Sequence, residues 1–149
     1  MRRPHNLLFA LAIITLLSSL LTACSSSNNV NHDTGMQMAA LSEMPPEVQS
    51  APVVVQEAYR FAAANPEVLE AIPCYCGCGA MGHTSNYSCY FTGESFGDGL
   101  AFDPHALGCS ICVDITQDSM RLLQQGKSMR EIRAYIDGNY ASFGPSNMP

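Results

Sequence analysis

Apolar positions along this chain form one continuous block followed by several periodic stretches. The block, Leu7 through Leu21, is preceded by Arg2 and Arg3 and followed by small residues. Its length of about 15 residues falls short of the roughly 20 that a membrane-spanning helix needs. A basic start, a short apolar stretch and a small-residue region are the three parts of a secretory signal peptide, assigned to residues 1–23. From Ser25 to Pro46 the pattern has neither helical nor strand period and is poor in branched apolar residues. Such a stretch buries too little surface to fold, so residues 24–46 are expected to be a disordered tether. His32, Met36, Met38 and Met44 lie within it and are read as solvated linker residues rather than metal ligands in a mobile arm.

Helical periodicity begins after Pro52. Val54, Val55, Ala58, Tyr59 and Ala62 share one face, and Asn65-Pro66 ends the segment, because the residue before proline avoids the α region. Asn65 then suits the cap of a short helix from Pro66 to Ala71, with Glu67 near the positive end of its dipole and Val68, Leu69 and Ile72 apolar. A third periodic stretch runs from Ser110 through Ile111, Ile115, Leu122 and Leu123 and stops at Gly126. Ser128 to Glu131 has the spacing of a capping box, and Ile132, Tyr135, Ile136 and Tyr140 follow at helical intervals. The last two segments predict an α-hairpin about Gly126-Lys127. Between the pairs, residues 73–108 are rich in Gly, Ser, Asn and aromatics, with Tyr87 to Phe91 as a strand-like stretch. The pattern thus predicts a mainly α domain over residues 47–143, with an irregular cysteine-rich loop region between two helical pairs, and a disordered tail over 144–149.

Charge narrows the function. The 149 residues suit one domain, with 7 Lys and Arg against 13 Asp and Glu. Without residues 1–23, which hold Arg2 and Arg3, 5 basic residues face 13 acidic ones for a net charge of −8. That balance opposes binding to nucleic acid, which needs clustered Lys and Arg. Asp98, Asp103 and Asp114 with His105 could be imagined as a hydrolytic set, but no nucleophile motif, phosphate loop or H-E-x-x-H helix accompanies them, so they are read as loop acids and caps. No enzymatic turnover is expected. Tyr75, Tyr87, Tyr90, Phe91, Phe96 and Phe102 are read first as packing around the cysteine-rich region.

The cysteines carry the chemistry. Cys74, Cys76 and Cys78 alternate in Pro73-Cys74-Tyr75-Cys76-Gly77-Cys78-Gly79, Cys89 follows, and Cys109 and Cys112 form a C-x-x-C at the start of the third helix. Sulfurs this close in sequence converge on one ion only if the backbone turns sharply, and Gly77 and Gly79 allow that turn. At a helix start, Cys109 and Cys112 are expected to have lowered thiol pKa values. His83 and His105 are candidates to complete a shell. Three readings compete. In the first, Cys74, Cys76, Cys78, Cys89, Cys109, Cys112 and His83 ligate a soft ion, Cu(I) or Zn(II), for buffering or handover or as a structural staple. In the second, six cysteines form three disulfides among 15 connectivities, although residues one apart rarely pair with each other. In the third, Cys109 and Cys112 are a redox pair, without the strand-then-helix context of thioredoxins.

Two resemblances add to this. Leu21-Thr22-Ala23-Cys24 resembles a bacterial lipobox, which implies acylation of Cys24 and a lipid anchor on the outer face of the bacterial cell membrane. The octapeptide from Ile72 to Gly79, together with Gly82-His83, Asn86 to Cys89, Cys109 to Cys112 and Gly126 to Asp137, resembles the PCYCGC-motif lipoproteins of bacteria. That family is named for a motif and is supposed to bind metal. The likeness implies the six cysteines and His83 as site residues, and a metal-donor or metal-acceptor protein as partner. The methionines scattered through the tether depart from the more His- and acid-rich arm of many relatives.

Overall fold

The computed structural model describes residues 36–92 and 101–148. The expected signal segment, Cys24 and His32 lie outside the described residues, as do Phe96 and Asp98. Six α-helices lie among the described residues: α1 Pro46–Gln49, α2 Val53–Ala64, α3 Pro66–Glu70, α4 His105–Gly108, α5 Ser110–Gln124 and α6 Met129–Tyr140. A two-residue antiparallel pair, β1 Phe91–Thr92 and β2 Ala101–Phe102, sets Phe91 opposite Phe102. The chain is mainly helical, as the periodicity predicts. None of these helices is long and apolar enough to cross a membrane.

The α-hairpin forms for local reasons. Gly126, at φ +73°, ends α5, and Lys127 donates its backbone N–H to the Leu122 carbonyl at 3.0 Å. Ser128 then accepts from the Glu131 backbone N–H while the Glu131 carboxylate accepts from Ser128 N–H at 2.9 Å, a complete capping box. The Ser128 groups, followed by Lys127, hold the Glu131 carboxyl down at about 2.

The apolar faces of α2, α5 and α6 meet in one core. Tyr59, Phe61, Leu69, Ile72, Ile115, Ile132 and Ile136 are fully buried in it. One polar network crosses this core and binds the loop region to α5. The buried Tyr90 hydroxyl donates to the Cys112 carbonyl at 2.9 Å and lies 2.7 Å from Thr116 Oγ1, which also accepts from Asn86 Nδ2 at 2.7 Å. Asn86 in turn donates its backbone N–H to the Ile72 carbonyl at 2.8 Å. Most polar atoms of this network are paired, which is what makes their burial tolerable, while Asn86 Oδ1 has no hydrogen-bond partner among the described residues.

Four expectations are corrected. The tether predicted for residues 24–46 gives up its second half to the domain: Leu41–Glu43 form a 3-10 turn and Met44 is 3% exposed. Ala39 exchanges backbone bonds with α2, donating to the Arg60 carbonyl at 3.1 Å and accepting from Arg60 Nε at 2.7 Å. A polar segment without period can pack this way because its backbone finds partners on a helix already formed. Asn65 does not cap α3 with its side chain; its amide donates to the Gln37 and Phe61 carbonyls at 2.7 and 2.9 Å. The strand expected over Tyr87 to Phe91 is a 3-10 turn, Tyr87–Cys89, and strand pairing starts only at Phe91. The tail expected to be disordered from residue 144 packs on the cysteine loop. Gly144 lies so close that a Cβ there would be 2.8 Å from the Tyr75 carbonyl oxygen, and Asn147 donates its N–H to the Cys74 carbonyl at 3.1 Å.

Candidate metal centre

The cysteine loop is shaped by its glycines. Gly77 at φ +83° and Gly82 at φ +90° bracket the 3-10 turn Cys78–Met81, and no other residue type takes these angles cheaply. Nothing lies within 4 Å of a Cβ built on Gly77, so conformation rather than space demands glycine there. The turn folds Cys78 back toward Cys89, with sulfurs 3.6 Å apart. Cys74, just before the turn, brings its sulfur to 3.4 Å from both Cys76 and Cys112.

From the other side, Cys109 occupies the N-cap of α5 and Cys112 lies one turn into it. Their sulfurs are 3.1 Å apart, and Cys112 reaches to 3.6 Å from Cys76. The six cysteines of the domain are free thiols. Disulfide sulfurs sit about 2.05 Å apart, so none of these spacings is a bond. Four ligands about 2.3 Å from one zinc define a tetrahedron with edges of about 3.8 Å, and the sulfur spacings seen run from 3.1 to 3.6 Å. The sulfurs are close enough to share an ion, and none is at disulfide distance.

Two imidazoles border the sulfurs. His105, at the start of α4, places Nε2 3.3 Å from Cys76 Sγ. His83 is buried, with Nε2 3.2 Å from Asp103 Oδ2 and no partner for Nδ1. Asp103 holds the His83 ring and, through its other oxygen, accepts from the backbone N–H of His105 at 2.8 Å, and the two rings meet edge to face with centroids 5.1 Å apart. A carboxylate that fixes one imidazole nitrogen and leaves the other free as an electron-pair donor is the usual outer support of a ligating histidine.

Three quartets of donors have all their atoms within 4.8 Å of one another: Cys74, Cys76, Cys78 and Cys89; Cys76, His105, Cys109 and Cys112; and Cys78, His83, Cys89 and His105. All seven metal-site residues expected from the sequence fall in these quartets, so they can hold a metal ion. His105, weighed beside them as a shell-completing imidazole, joins two of the three. Asn147 is a participant that the sequence does not reveal. Its Oδ1 accepts from Cys74 N–H at 2.7 Å, and its Nδ2 donates to the Ser85 carbonyl at 3.0 Å and points at Cys78 Sγ at 3.5 Å. A lone asparagine in a polar tail carries no local signal.

Burial and the crowding of sulfurs shift several of these thiols. Burial, followed by hydrogen bonding to Cys78, pushes the Cys76 thiol up to about 11. The neighbouring sulfurs of Cys112, Cys74 and Cys78, with burial, push Cys89 up as well. Cys109 is raised by burial, which corrects the expectation that the helix dipole lowers it. Crowded, dehydrated thiols of this kind resist losing their protons because the resulting negative charges repel, whereas Cys74 is shifted down, the hydrogen bond with Cys112 that raises it being outweighed by those with Cys78 and Cys89. A bound ion reverses that logic and holds them as thiolates.

Compared with known proteins, residues 13–148 match the family described as "Protein of unknown function with PCYCGC motif". No curated protein and no solved structure matches the chain. With the match spanning most of its length and the motif itself forming the sharp loop of the site, the chain belongs to the PCYCGC-motif family.

Proposed function

We propose that this protein is an extracytoplasmic, lipid-anchored binder of a soft metal ion, Cu(I) or Zn(II), and not an enzyme. One observation carries the reading: sulfurs from sequence positions as distant as Cys74 and Cys112 converge to 3.4 Å without bonding. Closed-shell soft ions bind such convergent thiolate sets tightly. The N-terminal basic residues, the apolar block and the lipobox-like Leu21 to Cys24 support export and anchoring through acylated Cys24. An ion held at the outer face of a membrane serves buffering, or handover to a metal-acceptor protein. The acidic balance argues against nucleic acid as a partner.

The test is elemental analysis of the full chain purified anaerobically from cells supplied with copper and zinc. Stoichiometric Cu or Zn is expected, and a metal-free protein with three intact disulfides would end the proposal. For the anchor, Cys24→Ser is expected to shift the protein into the aqueous fraction, and continued membrane retention would mean an uncleaved anchor instead.

A further inference from the structure

The donor quartets overlap in a way that sets how many ions fit. The quartet of Cys74, Cys76, Cys78 and Cys89 shares only Cys76 with the quartet of Cys76, His105, Cys109 and Cys112. A thiolate keeps lone pairs after binding one ion and can bridge to a second, so both quartets can be filled together. The remaining quartet draws Cys78 and Cys89 from the first and His105 from the second, and therefore competes with both.

Cys76 is placed for the bridge. Its sulfur is 3.4 Å from Cys74 in the first quartet, and 3.6 Å from Cys112 and 3.3 Å from His105 Nε2 in the second. The two quartets also abut directly, Cys74 to Cys112, at 3.4 Å.

They differ in access. Cys74, Cys78 and Cys89 are buried, while Cys76, His105 and Cys109 are only partly so. A surface groove lined by Val54, Leu107, Gly108, Cys109 and Ser110 opens onto the second quartet at Cys109. The first is closed off by Asn147, which caps the Cys74 N–H and faces Cys78 Sγ. An ion leaves a thiolate site when an incoming ligand reaches it, so the shell around a site controls its exchange.

Resting on the soft-metal reading above, we propose that the centre is dinuclear. A buried ion held by Cys74, Cys78, Cys89 and bridging Cys76 is a permanent part of the fold. An outer ion held by Cys76, Cys109, Cys112 and His105 is the one that exchanges. The division gives the protein both of the roles that a single site forces apart: the inner ion staples a small core, and the outer one is available to a chelating partner through the groove at Cys109.

The experiment loads the reduced full-length chain, in detergent and without oxygen, with Zn(II) alone, and in a parallel sample with Cu(I) alone. Native mass spectrometry should show two ions per chain. Challenge of the zinc form with a chromogenic chelator should release one ion at least about tenfold faster than the other. Cys109→Ser and His105→Ala should each retain one ion, the slow one. A wild-type chain with one ion, two ions leaving at one rate, or two ions retained in Cys109→Ser overturns the dinuclear assignment while leaving metal binding intact. Retention of the fast ion in His105→Ala overturns it too. No ion from either metal overturns the soft-metal reading itself. As a check that needs no variant, the protein loaded with cadmium-113 should give two coupled NMR signals through the shared sulfur, and a single signal counts against the bridge.

Discussion

Asn147→Ala tests the tie between the C-terminal segment and the cysteine loop. The side chain satisfies two backbone groups in the interior, Cys74 N–H at 2.7 Å and the Ser85 carbonyl at 3.0 Å. Cys74 is fully buried and Ser85 nearly so, so water replaces neither bond freely. Each hydrogen bond contributes about 1 kcal/mol net, and a buried group left unpaired costs about 1–3 kcal/mol, which places the loss at roughly 2–4 kcal/mol. For a domain of this size that corresponds to a fall in Tm of roughly 6–15 °C. The substitution also removes the N–H that points at Cys78 Sγ at 3.5 Å, and lost support of that kind weakens metal affinity by about 10–100-fold. Thermal unfolding by circular dichroism, with and without Zn(II), measures the first effect, and competition against a chelator of known affinity measures the second. Asn147→Asp separates them, because it keeps an acceptor for Cys74 N–H while losing both donations. An Asn147→Ala protein with unchanged Tm and unchanged zinc affinity would refute the argument, since it would mean that the tail does not hold the loop.

Two further outcomes follow from the local geometry. Gly77→Ala forces an L residue to φ +83°, so it should destabilise the fold by about 1–2 kcal/mol in urea unfolding; because no atom crowds the new Cβ, the cost comes from the backbone alone, and an unchanged midpoint would contradict it. The capping-box carboxyl of Glu131 is held at about 2 in the folded state, below the ordinary carboxylate value of about 4.3, so its contribution is present in full above that value. The stability difference between wild type and Glu131→Gln should therefore shrink as pH falls from the ordinary carboxylate value toward 2, and a difference that grows with acid would show the wrong sign.

Much of the fold is legible without coordinates because its causes are local. The helices over Val53–Ala64, Ser110–Gln124 and Met129–Tyr140 follow from apolar residues three and four apart, and the hairpin between the last two follows from Gly126 and the Ser128–Glu131 box. The C-x-C-x-C and C-x-x-C spacings likewise mark the site by themselves, since so many thiols on so short a turn set this stretch apart from the rest of the chain. What the sequence does not disclose is nonlocal. Met44 and Asn147 lie in polar stretches that look too poor to fold, yet each docks on a surface that exists only after the helices have packed. Asp103 looks like a cap and does accept the His105 backbone N–H, but it also orients the His83 imidazole 20 positions before it.

The state of the thiols belongs to the same class. Spacing along the chain allows metal ligands, disulfides or a redox pair equally, because all three need only nearby sulfurs. The distances between those sulfurs show no disulfide among the described cysteines and donors close enough to share an ion, and distances are set by how α5 packs against the loop. Sequence by itself therefore determined the helices, their stops and which residues carry the chemistry, because propensity, capping and turn angles act over a few residues. Tertiary structure alone decided which sulfurs meet, which are buried and which histidine nitrogen is left free, because those depend on side chains brought together from up to 73 positions apart.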